Sequence, residues 1–318
     1  MTTAIASATS TTPTTPAEEP CCGPSCCGGK RQAATATAEA PTPPSHEERI
    51  QEAVRRRYAE AARAAAGRDA EVSCSCGCSD EATAVFGRAL YGEGAADAAP
   101  EGALRASLGC ANPTALVDLS PGQVVLDLGS GGGIDVFLAA RRVGPTGKVY
   151  GLDMTDEMLA LARANQAEAG VTNAEFLKGR MEEVPLPAAS VDVVMSNCVV
   201  NLSPDKDRVL AEAFRVLRPA GRFAVADVVT VRPMPETLGR QIELWSECLG
   251  GALEVGDYRA RLAAAGFTGV EVEILHTYGL QEAGADAERL FAELGLDAAE
   301  VEGLFASALV RATKLATN

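Results

Sequence analysis

The sequence predicts an α/β fold: a mostly parallel sheet covered by helices on both faces, a smaller α+β segment after it and a disordered tail before it. Three observations carry this. From Gln123 to Val229, short apolar runs alternate with helical stretches, the pattern of strands joined by crossover helices. A glycine-dense turn, Gly129-Ser130-Gly131-Gly132-Gly133, follows the first of those runs. Residues 1–45 hold almost no large apolar side chain.

The tail, rich in Thr, Ala, Pro and Ser, can bury too little surface to offset chain entropy and is expected to be disordered. Ser45 with Glu48 three residues later forms a capping-box pattern, so a helix should start there and run through Ile50, Val54 and Tyr58 to near Gly67. A cysteine-rich loop and a Gly- and Ala-rich stretch lead to Pro100. Strands are expected at Val124–Leu128, Lys148–Leu152, Ala174–Leu177, Val191–Ser196 and Arg222–Val229. Helices should fill Ile134–Arg142, Thr155–Ala169 (closed by Gly170) and Lys206–Leu217 (stopped by Arg218-Pro219-Ala220-Gly221). After Pro235 the pattern changes to helices at Glu236–Leu249 and Tyr258–Ala265, a strand at Gly269–Leu275 and an Ala-, Glu- and Leu-rich helical tail. The expected organisation is a tail (1–45), a main domain (46–232) with a helical, cysteine-rich extension, and a C-terminal α+β domain (233–318).

Composition narrows the function. A net charge of -15 repels phosphate backbones and argues against a nucleic-acid partner. No apolar run approaches a membrane span, and no basic segment followed by an apolar stretch marks a secretory signal, so the cytoplasm is the expected compartment. Ten cysteines in a reducing compartment point to metal, metalloid or redox chemistry before structural disulfides. Four lie in the tail (Cys21, Cys22, Cys26, Cys27), three cluster at Cys74, Cys76 and Cys78, and Cys110, Cys198 and Cys248 stand alone. The tail pairs look like a soft-ion scavenging segment. In the Cys74–Cys78 loop alternate spacing makes a tetrahedral zinc site awkward, and His46 and His276 are read as ordinary.

The first strand ends in Leu126-Asp127-Leu128 and runs into the glycine turn, which lets a ligand approach the backbone and offers free N–H groups at a helix start. The dinucleotide fingerprint would need Gly where Ile134 stands. The denser glycine run after an acid resembles the first motif of Rossmann-like methyltransferases, whose cofactor has a sulfonium and no pyrophosphate. Asp153 ends the second strand, 20 residues after Gly133, where an acid can accept hydrogen bonds from both ribose hydroxyls. Met154 can pack on adenine, and Arg180-Met181-Glu182-Glu183 falls where this fold contacts the adenine edge. The expected S-adenosyl-L-methionine site is therefore Asp127, Gly129, Ser130, Gly131, Gly133, Asp153, Met154, Met181, Glu182 and Asn197.

Cys198 lies just past the fourth strand, at the sheet end where open α/β folds bind ligands. The Asn/Asp-Pro-Pro-aromatic motif that holds planar amines in related enzymes is absent there. Cys110 precedes the first strand, and Cys248 sits where a helix meets Gly250-Gly251. Three converging thiolates suit a soft, pyramidal ion. Over roughly residues 105–280 the chain resembles the bacterial arsenite S-adenosylmethionine methyltransferases, most clearly at 108–114, 125–136, 151–159, 196–208 and 245–253. That resemblance implies a class I methyltransferase fold, arsenite or an arsenic-glutathione conjugate as acceptor, and Cys110, Cys198 and Cys248 as its ligands. It also implies a fourth, redox-active cysteine, here one of Cys74, Cys76 and Cys78, with thioredoxin or glutathione as reductant. Cys110 is followed by Ala111 where that family usually has Gly. The alternative is a methyltransferase acting on a small organic acceptor, which should have a large apolar pocket and an acid/base residue.

Overall fold

A computed structural model describes residues 44–66, 100–107, 117–245 and 248–316. The tail, the Cys74–Cys78 loop and Cys110 lie outside the described residues. Helix α1 (His46–Ala66) starts at the expected box: the Ser45 N–H donates to Glu48 Oε2 (2.7 Å) and the Glu48 N–H to Ser45 Oγ (3.2 Å). It buries Ile50, Val54, Ala59, Ala62 and Ala65 along one stripe. A short α2 (Glu101–Arg105) follows.

The sheet is built from β1 (Val124–Leu128), β2 (Lys148–Asp153), β3 (Ala174–Lys178), β4 (Val191–Asn197), β5 (Leu217–Thr230), β6 (Leu253–Glu254), β7 (Thr268–Thr277) and β8 (Phe305–Thr313). Its order is β3-β2-β1-β4-β5-β8-β7, with β6 against β5. All pairs are parallel except β5–β8 and β8–β7. Between them run α3 (Ile134–Val143), α4 (Asp156–Ala169), α5 (Lys206–Val216), α6 (Glu236–Gly239), α7 (Ile242–Trp245), α8 (Val255–Ala264), α9 (Leu280–Glu293) and α10 (Ala298–Val301). Alternate residues of one strand enter different cores. Leu126, Leu128 and Val194 join the cluster with Leu210, Phe223 and Tyr258, while Val125, Val193 and Met195 join the one with Phe137, Val149 and Phe176. Both faces being covered, β1 and β4 are largely apolar, interrupted by Asp127 in β1 and by Asp192 and the Ser196-Asn197 end of β4. Strand order reverses between β1 and β4, so the connections that leave their carboxyl ends run to opposite sides and leave a crevice there. Among the described residues no helix is long and apolar enough to cross a membrane.

Four expectations need correction. Residues 233–318 do not stand apart as a separate domain: β8 and β7 extend the same sheet from β5, and the described residues from 44 onward group into one compact unit. The last forty residues are not all helical, because β8 pairs on both edges and is buried over Phe305–Val310. Its Ala-rich sequence leans weakly to helix, and pairing overrides that lean. The helix expected over Glu236–Leu249 breaks into α6 and α7, with the Gly239 carbonyl taken by the Trp245 indole N–H (2.8 Å). The fifth strand also begins at Leu217, five residues early, with a register shift opposite Val191–Val193.

Gly133 starts α3 at φ 91°, and a Cβ there would sit 2.8 Å from ring carbons of both Phe137 and Phe176. Gly133→Ala should therefore lower the melting temperature by at least about 5 °C, the combined effect of left-handed backbone and overpacking. An unchanged thermal transition would contradict this packing role.

Candidate active site

The loop between β1 and α3 is pinned to β2. The Gly129 and Ser130 N–H groups donate to the Leu152 carbonyl (2.8 and 2.9 Å). The Asp153 carboxylate closes the turn, accepting from the Gly131 N–H at Oδ2 (3.0 Å) and the Thr155 N–H at Oδ1 (2.8 Å). Gly129 and Gly131 have φ of 73° and 50°, a region that costs non-glycine residues free energy. A Cβ on Gly131 would meet nothing closer than Met158 Sδ at 4.0 Å, so that backbone faces open space.

That space is a cleft made of two adjoining cavities. One is lined by Asp153, Met154, Arg180, Met181 and Glu182. The other is lined by Ser130, Asp135 and Asn197. Both share Tyr58, Gly129, Gly131 and Val199. Asn197 Nδ2 donates to Asp135 Oδ2 (3.2 Å), and the Ser203 hydroxyl donates to Glu182 Oε1 (2.5 Å). Ser130 Oγ is buried and meets no hydrogen-bond partner among the described residues.

Eight of the ten cofactor residues expected from the sequence line this cleft; Asp127 and Gly133 line neither cavity. Gly133 serves packing, and Asp127 is buried within β1. The sequence reading missed Gln51, Val54 and Tyr58 of α1, which cover the cleft, and Asp135 and Val199. Tyr58 falls on the apolar stripe of α1 and reads as a core position, so no local signal marked it.

Burial pushes the Asp127 carboxyl well above the usual carboxylate range, reinforced by the charges of Asp135 and Asp153. Asp153 is raised too, by burial, with the Thr155 and Gly131 N–H groups pulling it back. An acid raised in the folded state binds its proton more tightly there than in the unfolded chain. Its contribution to stability is thus full below the unfolded value and is lost as pH rises through the folded one. Asp127→Asn should therefore raise the melting temperature of the ligand-free chain at about pH 7, and the gain should shrink toward about pH 4. A variant no more stable at neutral pH would show that the buried charge is compensated.

Two thiol positions meet beside the cleft. Cys198 follows β4, its N–H donating to the Ala226 carbonyl (2.8 Å). The Cys248 Sγ–H donates to the Cys198 carbonyl (2.6 Å), and the Tyr58 side chain hydrogen-bonds Cys248. Both cysteines are buried, at 3% and 6% exposure. They are also left-handed, with φ of 57° and 65°; among the described non-glycine residues only Ala189 and Ala220 share that feature. Strained backbone of this kind collects at functional sites. Cys198 is disulfide-bonded, so its sulfur must be reduced before it can ligate anything. The third expected ligand, Cys110, lies outside the described residues, and among those residues no group of three His, Cys, Asp or Glu could hold a metal ion.

A methyltransferase-domain family model matches residues 119–281. The chain is 44% identical over 233 residues to the arsenite methyltransferase of Halobacterium salinarum, covering 71% of this chain and 59% of that protein. It is 45% identical over 157 residues to the arsenite methyltransferase of Aquipseudomonas alcaligenes, covering 47% and 45%. The chain thus spans about half the length of the curated relatives it matches. Among solved structures it resembles CrArsM, an arsenic (III) S-adenosylmethionine methyltransferase from Chlamydomonas reinhardtii. There the TM-score is 0.54 at 35% identity, over 65% of this chain and 68% of that one.

Proposed function

The chain belongs to the methyltransferase-domain family, and from that premise we propose that it transfers a methyl group from S-adenosyl-L-methionine to trivalent arsenic. The acceptor is arsenite or its glutathione conjugate, held by the thiolates of Cys198 and Cys248 with Cys110 as the third. The observation that carries this reading is the contact of Cys248 Sγ with the Cys198 carbonyl at the carboxyl end of β4, beside the glycine-lined cleft. Two soft donors on strained, buried backbone at that place suit a soft ion better than a planar amine.

The cleft fits the cofactor. Its larger lobe has an acid at the end of β2 for ribose hydroxyls and methionine side chains to pack on a base. Its smaller lobe has the unmatched Ser130 hydroxyl and the Asp135–Asn197 pair for an amino-acid moiety. When bound, S-adenosylmethionine supplies a methyl group on a cationic sulfur. Asp153, by holding Gly131 and Thr155, would fix the loop that lines the cofactor's cleft. Helix α1 excludes water through Val54 and Tyr58. The thiols exchange with the hydroxyls or glutathione ligands of the incoming arsenic, and arsenic bound by sulfur keeps a lone pair as the nucleophile. That atom has no proton to lose, so no general base is required, and alignment supplies most of the rate. Methyl transfer would form an As–C bond as the S–CH3 bond breaks and would leave arsenic pentavalent. Two cysteine thiols, one of them from the Cys74–Cys78 loop, would supply two electrons and form a disulfide to restore trivalent arsenic. Thioredoxin or glutathione would reduce that disulfide.

Release of S-adenosylhomocysteine by the reduced chain should depend on added arsenite and should not respond to phenolic or quinol acceptors. Release driven by an organic acceptor and indifferent to arsenite would replace this reading with an organic-acceptor methyltransferase.

A further inference from the structure

The turn carrying Cys248 rests on a buried polar cluster that methyl transfer itself does not use. Asn201, in the 3-10 turn Val200–Leu202 after β4, is fully buried. Its side-chain amide donates to the Val228 carbonyl of β5 (2.6 Å) and to the Cys248 carbonyl (3.2 Å). Lys206 is only 6% exposed, and lysine is rarely buried without partners. Its ammonium donates to the carbonyls of Ser203 (2.8 Å) and Asn201 (3.3 Å) and lies 4.5 Å from the Trp245 ring centroid. The opposite charge acting most strongly on it is Asp227 of β5, wholly buried, which accepts from the Val228 N–H (3.1 Å); Glu182 adds to it. Gly251 closes the contact: a Cβ there would overlap the Asn201 carbonyl oxygen and stand 3.0 Å from Lys206 Nζ.

We propose that Asn201 and Lys206 are positioning residues for the Cys248 thiol, tying its turn to the ends of β4 and β5 so that the sulfur is held against Cys198. Two features support this. An amide is one of few side chains that can donate to two carbonyls at once, and here the two come from segments that only the fold brings together. A buried charged network is also weak as a stabiliser, since well-packed apolar residues usually do as well, so its use under a strained cysteine points to placement. Burial pushes Lys206 down to about 8 and Asp227 up to about 8, each partly restored by the other's charge. The role assigned to the thiol rests on the arsenite reading; the placement of the turn does not.

The test uses Lys206→Met and, separately, Asn201→Ser in the full, reduced chain. Trp245 is the only tryptophan, so its emission reports this turn alone. In both variants iodoacetamide should modify Cys248, read by mass spectrometry of its peptide, about tenfold faster, as the loss of a buried hydrogen bond eases local opening. Trp245 should become more quenchable by acrylamide, while affinity for S-adenosylmethionine stays within about twofold. With arsenite, turnover should fall about tenfold at unchanged KM for S-adenosylmethionine. Native alkylation and quenching in both variants would overturn the proposal, as would a parallel loss of cofactor affinity, which would mark a general scaffold role. Faster alkylation in variants of a chain inert toward arsenite would uphold the positioning role and sink the substrate reading instead.

Discussion

Serine in place of Cys248 should cut arsenite methylation by at least about a thousandfold while leaving S-adenosylmethionine affinity within about twofold of the native chain. The substitution isolates ligand chemistry from structure. A serine hydroxyl can still donate to the Cys198 carbonyl, as the thiol does at 2.6 Å, so the turn keeps its anchor. It cannot replace the thiolate, because a neutral hydroxyl is a hard, weakly ionising donor and trivalent arsenic is soft. Cys248 lines neither cavity of the cleft, so cofactor binding should be indifferent to the change. Cys198→Ser should give the same split. Calorimetric titration with S-adenosylmethionine and an arsenite-dependent assay on one preparation separate the two effects. Loss of cofactor binding in both variants would undo this division of labour.

Asp153→Ala should weaken S-adenosylmethionine binding by about a hundredfold or more, the effect of removing charge-assisted hydrogen bonds from a buried site. The carboxylate secures the Gly131 N–H on one oxygen and the Thr155 N–H on the other, so its loss frees the loop, and on the proposed reading it also removes the acceptor for the ribose hydroxyls. Asp153→Asn keeps the shape but only one acceptor oxygen, and should fall between the two. Native affinity in Asp153→Ala would show that the loop holds its form without the acid.

Much of this fold is legible in the sequence because its signals are local. The Ser45–Glu48 box, the αL glycine at Gly170 and the apolar runs of β1, β2 and β4 each name an element without reference to the rest. Strand β8 is not legible in that way. Phe305–Val310 is covered on both faces, so no period of two survives, and only pairing with β5 and β7 makes it a strand. The same limit hid the single sheet: nothing before the fold reveals that residues after Pro235 return to pair with β5.

The site divides likewise. Gly129, Gly131 and Asp153 follow from motif and spacing, since a turn and the next strand end fix them. Gly133 belongs to the same motif, yet its neighbours Phe137 and Phe176 show that packing sets it. Tyr58 and Lys206 were missed for opposite reasons. One looks like core on an apolar stripe, and the other looks like a solvated lysine just inside a helix capped by Asp205. The meeting of Cys198 and Cys248, 50 residues apart, follows from no spacing rule and had to be inferred from family resemblance.

The most direct test of arsenic methylation is speciation of arsenic after the reduced chain is incubated with arsenite, S-adenosylmethionine and a thiol reductant. Methylated arsenic that disappears in Cys198→Ser is the expected result. Unchanged arsenite, from a chain that demonstrably binds S-adenosylmethionine, would contradict the account and leave both cysteines as packing.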